Sequence, residues 1–210
     1  MILGALLAAG TGTRFDGENK LLADLDGDPI VAHSARTLAE SSLDATVAVV
    51  GHDAEAVERA LPDEVRVVAN PEYEQGQSTS VRRAVAAARE QDAEAVLFAL
   101  GDLPRVSVET VEALLETYRE STDDSEATDD PQTPGIVAPR YDGQRGNPVL
   151  FDARYFGDLA SVEGDTGGRA LLESEPVAWV DVPDPGIHRD VDTLADLREL
   201  QDESSSSDRG

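Results

Sequence analysis

The chain of 210 residues contains no cysteine and only one lysine. Without cysteine there is no disulfide framework, no thiolate metal site and no cysteine nucleophile. No apolar run reaches the length of a membrane span, and the N-terminal segment lacks the positively charged start of a signal peptide. We therefore expect a cytoplasmic protein. Since 40% of the residues are hydrophobic, the chain can bury a core of ordinary size, and its length suggests one domain, with two as the alternative.

Basic residues of any kind are scarce. The 17 lysines and arginines stand against 43 acids, which gives a formal net charge of −26. Nucleic acid and anionic lipid bind through basic patches, so this chain is expected to bind neither. A strongly acidic surface stays soluble where concentrated salt screens self-repulsion, which predicts an extreme halophile as the source. The alternative is a merely acidic protein from a low-salt organism, which would usually keep more lysine.

Apolar strands alternate with helical segments through the first half of the chain. We predict strands at 2–8, 45–50, 65–69 and 93–100, and helices at 29–41, 53–61, 78–91 and 107–119. This alternation indicates a parallel, doubly wound α/β sheet. Further strands are predicted at 135–141, 147–151 and 177–182, and further helices at 154–159, 167–174 and 193–201. The domain then spans 1–201, with an acidic exposed insertion at 120–134 and a disordered tail at 202–210.

The single lysine, Lys20, lies in a glycine-rich segment after the first predicted strand. The string LLAAGTGTRFDGENK contains Gly10, Gly12 and Arg14. Bare backbone amides with one rigid and one flexible cation suit a phosphate-binding loop. Phe15 replaces the third glycine of a dinucleotide fingerprint, and the Gly-Lys-Ser/Thr of a P-loop is absent. The segment therefore predicts triphosphate binding, with a solvated surface lysine as the alternative.

Two acidic motifs offer ligands for a divalent cation. Asp102, in the motif GDLP, follows the buried strand 93–100 and so projects into the crevice at the carboxyl end of the sheet. Mg²⁺ prefers carboxylate and phosphate oxygens, which makes Asp102 a candidate ligand, with a helix-capping or turn aspartate as the alternative. In the motif DVDT, Asp190 and Asp192 point opposite ways on an extended segment, so only one faces the metal. Asp192 is either that ligand or the N-cap of the last helix.

Three further motifs combine small residues with polar or cationic side chains. GQSTS opens a predicted helix and offers amides and hydroxyls to a ligand, with ordinary capping as the alternative. RGNP and GDTGGR suit an anionic acceptor, with tight turns as the alternative. The residues singled out are Gln77, Ser78, Thr79, Arg145, Asn147, Asp165 and Arg169.

Taken in order, these motifs resemble the nucleotidyltransferases of the MobA-like type, and among them the molybdenum cofactor cytidylyltransferases. The resemblance rests on LLAAGTGTRF, ENKLL, GQSTSV, GDLP, RGNPVLF, GDTGGRALL and DVDT. It implies a single Rossmann-like α/β domain with a mixed, mostly parallel sheet and helices on both faces. It also implies Mg²⁺-dependent transfer of a nucleotide from CTP to the phosphate of molybdopterin, with release of pyrophosphate. Two positions depart from the family pattern, since Asn147 stands where histidine is common and Asp16 where glycine is common.

The resemblance also implies roles for individual residues. Arg14, Lys20 and Asp102 would be catalytic, with Mg²⁺ held by Asp102 and Asp192. The nucleotide would lie against Leu7, Ala8, Ala9, Gly10, Gly12, Gln77, Ser78 and Thr79, and the acceptor against Arg145, Asn147, Asp165 and Arg169. A phosphate acceptor is already ionised near neutral pH, so catalysis reduces to positioning and charge neutralisation.

Alternatives remain for the donor, the acceptor and the class of protein. In the family, the residue at Ala9 is often glycine in enzymes that use GTP, so alanine here favours CTP with GTP as the alternative. The acceptor could instead be a sugar phosphate or another phosphorylated metabolite. The chain could also be a non-catalytic carrier that delivers molybdenum cofactor to a client molybdoenzyme.

Overall fold

A mixed sheet of eight strands forms the centre of the molecule in the computed structural model, which describes residues 1–10, 19–123, 133–161, 164 and 168–207. The strands of this sheet are β1 Ile2–Ala8, β4 Ala45–Val50, β5 Arg66–Ala69, β6 Ala95–Leu100, β7 Ile136–Tyr141, β8 Gln144–Arg145, β9 Val149–Asp152 and β10 Val177–Asp181. A separate hairpin consists of β2 Asp24–Leu25 and β3 Asp28–Pro29. The helices are α1 Ile30–Glu40, α2 Ala54–Ala60, α3 Gln77–Glu90, α4 Val108–Asp123, α5 Phe156–Ser161, α6 Arg169–Ser174 and α7 Leu194–Ser207.

The strand order is β10-β7-β9-β6-β1-β4-β5, with the short β8 beside β7. Strand β1 pairs in parallel with β4 and β6, β4 with β5, and β10 with β7. Only β8 and β9 run antiparallel to their neighbours within the described sheet. The predicted fold class, a single α/β domain with a mixed and mostly parallel sheet, is confirmed.

Strand β1 is buried on both faces, which explains why it reads as a continuous apolar run. Ile2 and Leu6 pack into one cluster with α1, α2 and α4, whereas Leu3 and Ala5 pack into a second cluster with α3 and α5. Helices therefore cover both faces of the sheet. A third, smaller cluster joins the β2–β3 hairpin to α7.

The register of the central strands brings the candidate site together. Ala8 of β1 lies opposite Val50 of β4, and Leu7 lies opposite Leu100 of β6. The segments that follow β1 and β6 therefore leave the sheet at the same edge. This edge is where open α/β sheets bind their ligands.

The structure differs from the sequence predictions at two helix ends. Helix α4 continues to Asp123, four residues into the predicted insertion, whose residues 124–132 lie outside the described part of the chain. Helix α7 continues to Ser207, so most of the predicted tail is helical. Arg105 explains this extension, since its guanidinium contacts Asp26 of the hairpin at 2.7 Å, the carbonyl of Leu200 at 3.3 Å and the Ser204 hydroxyl. No helix of the described residues is long and apolar enough to cross a membrane.

Candidate active site

A buried asparagine positions Lys20. Asn19 is only 6% exposed, and its side-chain oxygen accepts a 3.1 Å hydrogen bond from the amide of Leu21. Its amide nitrogen donates to the carbonyl of His52 at 3.4 Å. Asn19 thereby caps the short helical turn Lys20–Leu22 and anchors it to the segment after β4. Sequence reasoning missed this role, although asparagine is a common N-cap and directly precedes KLL.

Lys20 lies between the two aspartates proposed as metal ligands. Its Nζ donates to Oδ2 of Asp102 and to Oδ1 of Asp192, each at 2.7 Å, and its side chain is only 14% exposed. Burial lowers the pKa of Lys20, but the charge of Asp102 and the hydrogen bonds to both carboxylates raise it by more, so the pKa lies above its ordinary value. The side chain is thus a charged, largely buried ammonium and not a solvated surface lysine.

The last helix is capped by Thr193, not by Asp192. The Asp196 carboxylate accepts from the amide and hydroxyl of Thr193 at 2.7 and 2.9 Å and from the amide of Asp192 at 3.1 Å. In return, the Thr193 hydroxyl accepts from the amide of Asp196 at 3.3 Å. This reciprocal capping box leaves the Asp192 carboxylate directed at Lys20.

The choice between Asp190 and Asp192 follows from the residue between them. Val191 is fully buried, and its amide donates to the carbonyl of Asp102 at 2.9 Å. Asp192 hydrogen-bonds Lys20, whereas the described contacts give Asp190 a longer-range attraction to that lysine and no hydrogen bond. Desolvation raises the pKa of Asp190, and the like charges of Asp192 and Asp102 raise it further.

The Asp102–Asp192 pair fits a hard divalent cation. One oxygen from each carboxylate lies 2.7 Å from the same cationic nitrogen, so both converge on a single point. Among the described residues there is no group of three or more metal-ligating side chains. Mg²⁺ commonly takes one or two carboxylates and completes its shell with phosphates and water, so two ligands are sufficient.

A cleft of about 360 Å³ opens above Lys20; we call it the donor cleft. Its walls are formed by Leu7, Ala9, Gly10, Lys20, Leu21, Tyr73, Glu74, Gly76, Gln77, Ser80, Leu100 and Asp102. Six of the residues singled out from the sequence therefore line this cleft: Leu7, Ala9, Gly10, Lys20, Gln77 and Asp102. Gly12 and Arg14 lie outside the described residues.

Three predicted nucleotide-binding residues are buried and do not line the donor cleft. These residues are Ala8, Ser78 and Thr79. The amide of Ser78 donates to the carbonyl of Gly164 at 3.0 Å. The Thr79 hydroxyl is held between the carbonyl of Gly76 and the side chain of Asn70, each at 2.8 Å. The start of α3 is thus fastened internally, and Ser80 lines the cleft where Ser78 was predicted to.

A second cleft of about 260 Å³ adjoins the first; we call it the acceptor cleft. The two clefts share Leu7, Gln77 and Leu100 as a common wall. The acceptor cleft brings together the predicted Arg145, Asn147 and Arg169, whereas Asp165 lies outside the described residues. Its remaining lining is Val81, Phe98, Gly146, Val149, Phe151, Gly168 and Leu172. The cleft therefore combines cationic and amide side chains with an apolar floor.

Two glycines at the acceptor cleft lie too close to neighbouring side chains to be replaced by a larger residue. A Cβ on Gly168 would lie 2.6 Å from the ring of Phe151, and one on Gly146 would lie 2.6 Å from Ile187. Phe151 packs edge to face on Phe98, with ring centroids 5.8 Å apart. These two positions require glycine because any side chain would push into the floor of the cleft or its supporting turn.

Comparison with known proteins decides the family. Residues 4–179 match the model of the MobA-like NTP transferase domain. The chain belongs to the MobA-like NTP transferase family. It is 33% identical over 203 residues to nicotine blue oxidoreductase of Paenarthrobacter nicotinovorans, covering 95% of this chain and 96% of the relative. It is 28% identical over 203 residues to the purine catabolism protein PucB of Bacillus subtilis, covering 91% and 92%.

Solved structures agree with this assignment of the fold. A nucleotidyl transferase from Methanothermobacter superposes with a TM-score of 0.79 at 23% identity, covering 99% of each chain. Rv0371c from Mycobacterium tuberculosis, solved in complex with manganese, superposes with a TM-score of 0.73 at 28% identity, covering 96% of this chain and 98% of the other.

The geometry of this MobA-like NTP transferase suits transfer between two anionic groups. The described lining of both clefts contains no histidine, so neither wall offers the commonest general base. The charged groups described at the donor cleft are instead a cation, Lys20, which can neutralise phosphates, and the carboxylates of Glu74 and Asp102. This arrangement fits a reaction in which the attacking oxygen is already ionised.

Proposed function

We propose that this nucleotidyltransferase moves CMP from CTP onto the phosphate of a molybdopterin-type acceptor, releasing pyrophosphate, with Mg²⁺ as its metal. The observation that carries the proposal is the adjacency of two unlike clefts. The donor cleft contains Lys20 and Asp102, and the acceptor cleft contains Arg145 and Arg169. Their common wall would set a nucleotide and an acceptor side by side.

The donor side supports binding of a metal–triphosphate complex. Asp102 and Asp192 would hold Mg²⁺, and Lys20 would contact the phosphates as charge develops on the leaving pyrophosphate. When bound, the metal would neutralise and orient the reacting phosphates. The manganese bound to Rv0371c supports a divalent cation in this fold. Arg14 would grip the outer phosphates bidentately, in keeping with its place in the glycine-rich segment.

The acceptor side supports a ligand with both an apolar ring system and a phosphate. Phe98 and Phe151 form part of the floor, and aromatic side chains favour flat, apolar partners. Arg145 and Arg169 are suited to a phosphate monoester, and Asn147 can both donate and accept hydrogen bonds. A sugar phosphate has no flat apolar ring to pack against this aromatic floor.

The experiment is incubation of the purified protein with molybdopterin, Mg²⁺ and each of the four NTPs in turn. We expect pyrophosphate and a product of the mass of the cytidine dinucleotide, mostly from CTP. The Asp102→Asn variant should form neither pyrophosphate nor the nucleotide product. Cofactor binding without pyrophosphate from any NTP would contradict the transferase and favour a carrier. Pyrophosphate only with a different phosphorylated acceptor would retain the transferase and reject molybdopterin.

A further inference from the structure

The ammonium of Lys20 lies at the point on which the carboxylates of Asp102 and Asp192 converge. Both Nζ–O distances are 2.7 Å, and the exposed fractions of the three side chains are 14%, 22% and 44%. Charge-assisted hydrogen bonds of this length are among the stronger ones in proteins. A divalent cation and the ammonium cannot occupy this point at the same time.

We propose that Lys20 neutralises the Asp102–Asp192 pair until a nucleotide binds. A divalent cation then enters this position together with the nucleotide, whose phosphates become the new partners of the lysine ammonium. The inference rests on the proposed function, since it presumes binding of a metal–triphosphate complex. It goes further by stating that the metal binds together with the nucleotide and not before it.

Charge balance favours the exchange only when phosphates arrive with the metal. A bare cation would have to displace the ammonium and then lie beside it, so two positive charges would compete for two carboxylates. A triphosphate adds several anionic oxygens on the cleft side of the pair and gives the ammonium a new partner. Lys20 lines the donor cleft, so its head group reaches that partner by turning within the same cavity.

The backbone around Lys20 is built for such a movement of the side chain alone. Asn19 is buried and caps the turn, which keeps the α-carbon of Lys20 in place. The four-carbon stem of a lysine moves its charge freely, unlike the rigid fork of an arginine. By linkage, nucleotide and metal should raise each other's affinity by the same factor.

The first test measures Mn²⁺ binding without nucleotide by electron paramagnetic resonance. Lys20→Met should bind Mn²⁺ roughly ten-fold or more tightly than the wild type, because the competing charge is gone. Lys20→Arg, which keeps the charge, should stay near the wild type. Arg189→Met is the matched control: it removes a nearby cation whose partners are Glu199 and Glu203 and should change little. Equal affinities in the wild type and Lys20→Met, or equal gains in Lys20→Met and Arg189→Met, would overturn the inference.

The second test needs no variant, since Lys20 is the only lysine of the chain. Carbon-13 labelling of lysine gives one set of side-chain resonances, which report directly on Lys20. We expect Mg²⁺ alone to leave them in place and Mg²⁺ with CTP to shift them. An equal shift with Mg²⁺ alone would reject the coupled exchange while leaving nucleotide binding intact. Failure of the wild type to bind Mg²⁺–CTP at all would reject the proposed function and the inference with it.

Discussion

The amide of Val191 donates a 2.9 Å hydrogen bond to the carbonyl oxygen of Asp102. This bond joins the segment after β6 to the segment before α7. Val191 is fully buried in the third cluster, with Leu25, Ile30 and residues of α7. The spacing of the two backbone segments that carry Asp102 and Asp192 is therefore fixed by packing and by a backbone hydrogen bond.

Lys20 is expected to be indispensable for the reaction. Lys20→Ala should lower the rate of nucleotidyl transfer at least a hundred-fold, or about 3 kcal/mol of transition-state stabilisation. The reason is that no other side chain described at the donor cleft is cationic. Single-turnover pyrophosphate release would measure the loss. A variant with near-normal turnover would remove Lys20 from the mechanism.

Asp192 and Thr193 should separate activity from stability. Asp192→Asn should abolish most turnover and leave the melting temperature close to that of the wild type, since Asp192 faces Lys20 and does not cap α7. Thr193→Ala should keep the turnover of the wild type but lose about 1 kcal/mol of stability, because the N-cap hydroxyl is gone. Denaturant unfolding and turnover of both variants would check this. The reverse pattern would restore Asp192 as the cap.

Acid should weaken the start of α7 through Asp196. Hydrogen bonds from the Thr193 hydroxyl and from two backbone amides hold the pKa of Asp196 below its ordinary value. Its contribution to stability is therefore present above the ordinary pKa of an aspartate and is lost as pH falls through the lowered pKa of the folded state. Asp196→Asn should lose this part of the pH dependence. Parallel acid-unfolding curves for the variant and the wild type would contradict it.

Much of the fold was predictable because its first half alternates helices with parallel strands, of which β1, β4 and β6 are mostly buried. Such strands are continuous apolar runs, and the helices between them have clear apolar faces. The two-residue strands β2, β3 and β8 carry no such pattern and were missed. The extension of α7 depends on Arg105, which reaches it from a distant part of the chain. Long-range contacts of this kind leave no local signal.

The sequence predicted those parts of the site in which glycines and charged residues directly follow a strand. It did not predict the asparagines that support them. Lys20, Asp102 and Asp192 do meet, because strand ends converge at one edge of the sheet. Asn19 and Asn70 were missed, since each acts through bonds to backbone or hydroxyl groups that only the folded chain brings close. The bond from Asn70 holds Thr79, and the carbonyl of Gly164 holds the amide of Ser78, two residues that were predicted to lie against the nucleotide.

Stability and activity should depend strongly on salt. The chain carries 43 acids against 17 basic residues, and their repulsion extends about 10 Å at 0.1 M salt but only about 3 Å at 1 M. We therefore expect the melting temperature and turnover to rise toward molar KCl and to fall below a few tenths molar. A thermal unfolding series in KCl would measure this. A melting temperature that stays flat across the series would contradict the prediction of a halophilic protein.

The choice of base should depend on Ala9. Ala9 is nearly buried and lines the donor cleft directly after β1, and its carbonyl accepts a 3.3 Å hydrogen bond from the amide of His52, which fixes the backbone. Its methyl group should therefore take space beside the base and favour the smaller pyrimidine. One methyl group supplies only about 1–3 kcal/mol, or roughly 10- to 200-fold, so CTP should be preferred over GTP without being exclusive. Ala9→Gly should narrow the gap mainly by raising kcat/KM for GTP, since the glycine admits a larger base but adds nothing to the cytosine contacts. Competition between CTP and GTP at equal concentration would measure the ratio of their kcat/KM values in the wild type and in Ala9→Gly. A higher kcat/KM for GTP in the wild type would reject the cytidylyl preference and leave the transferase reaction standing.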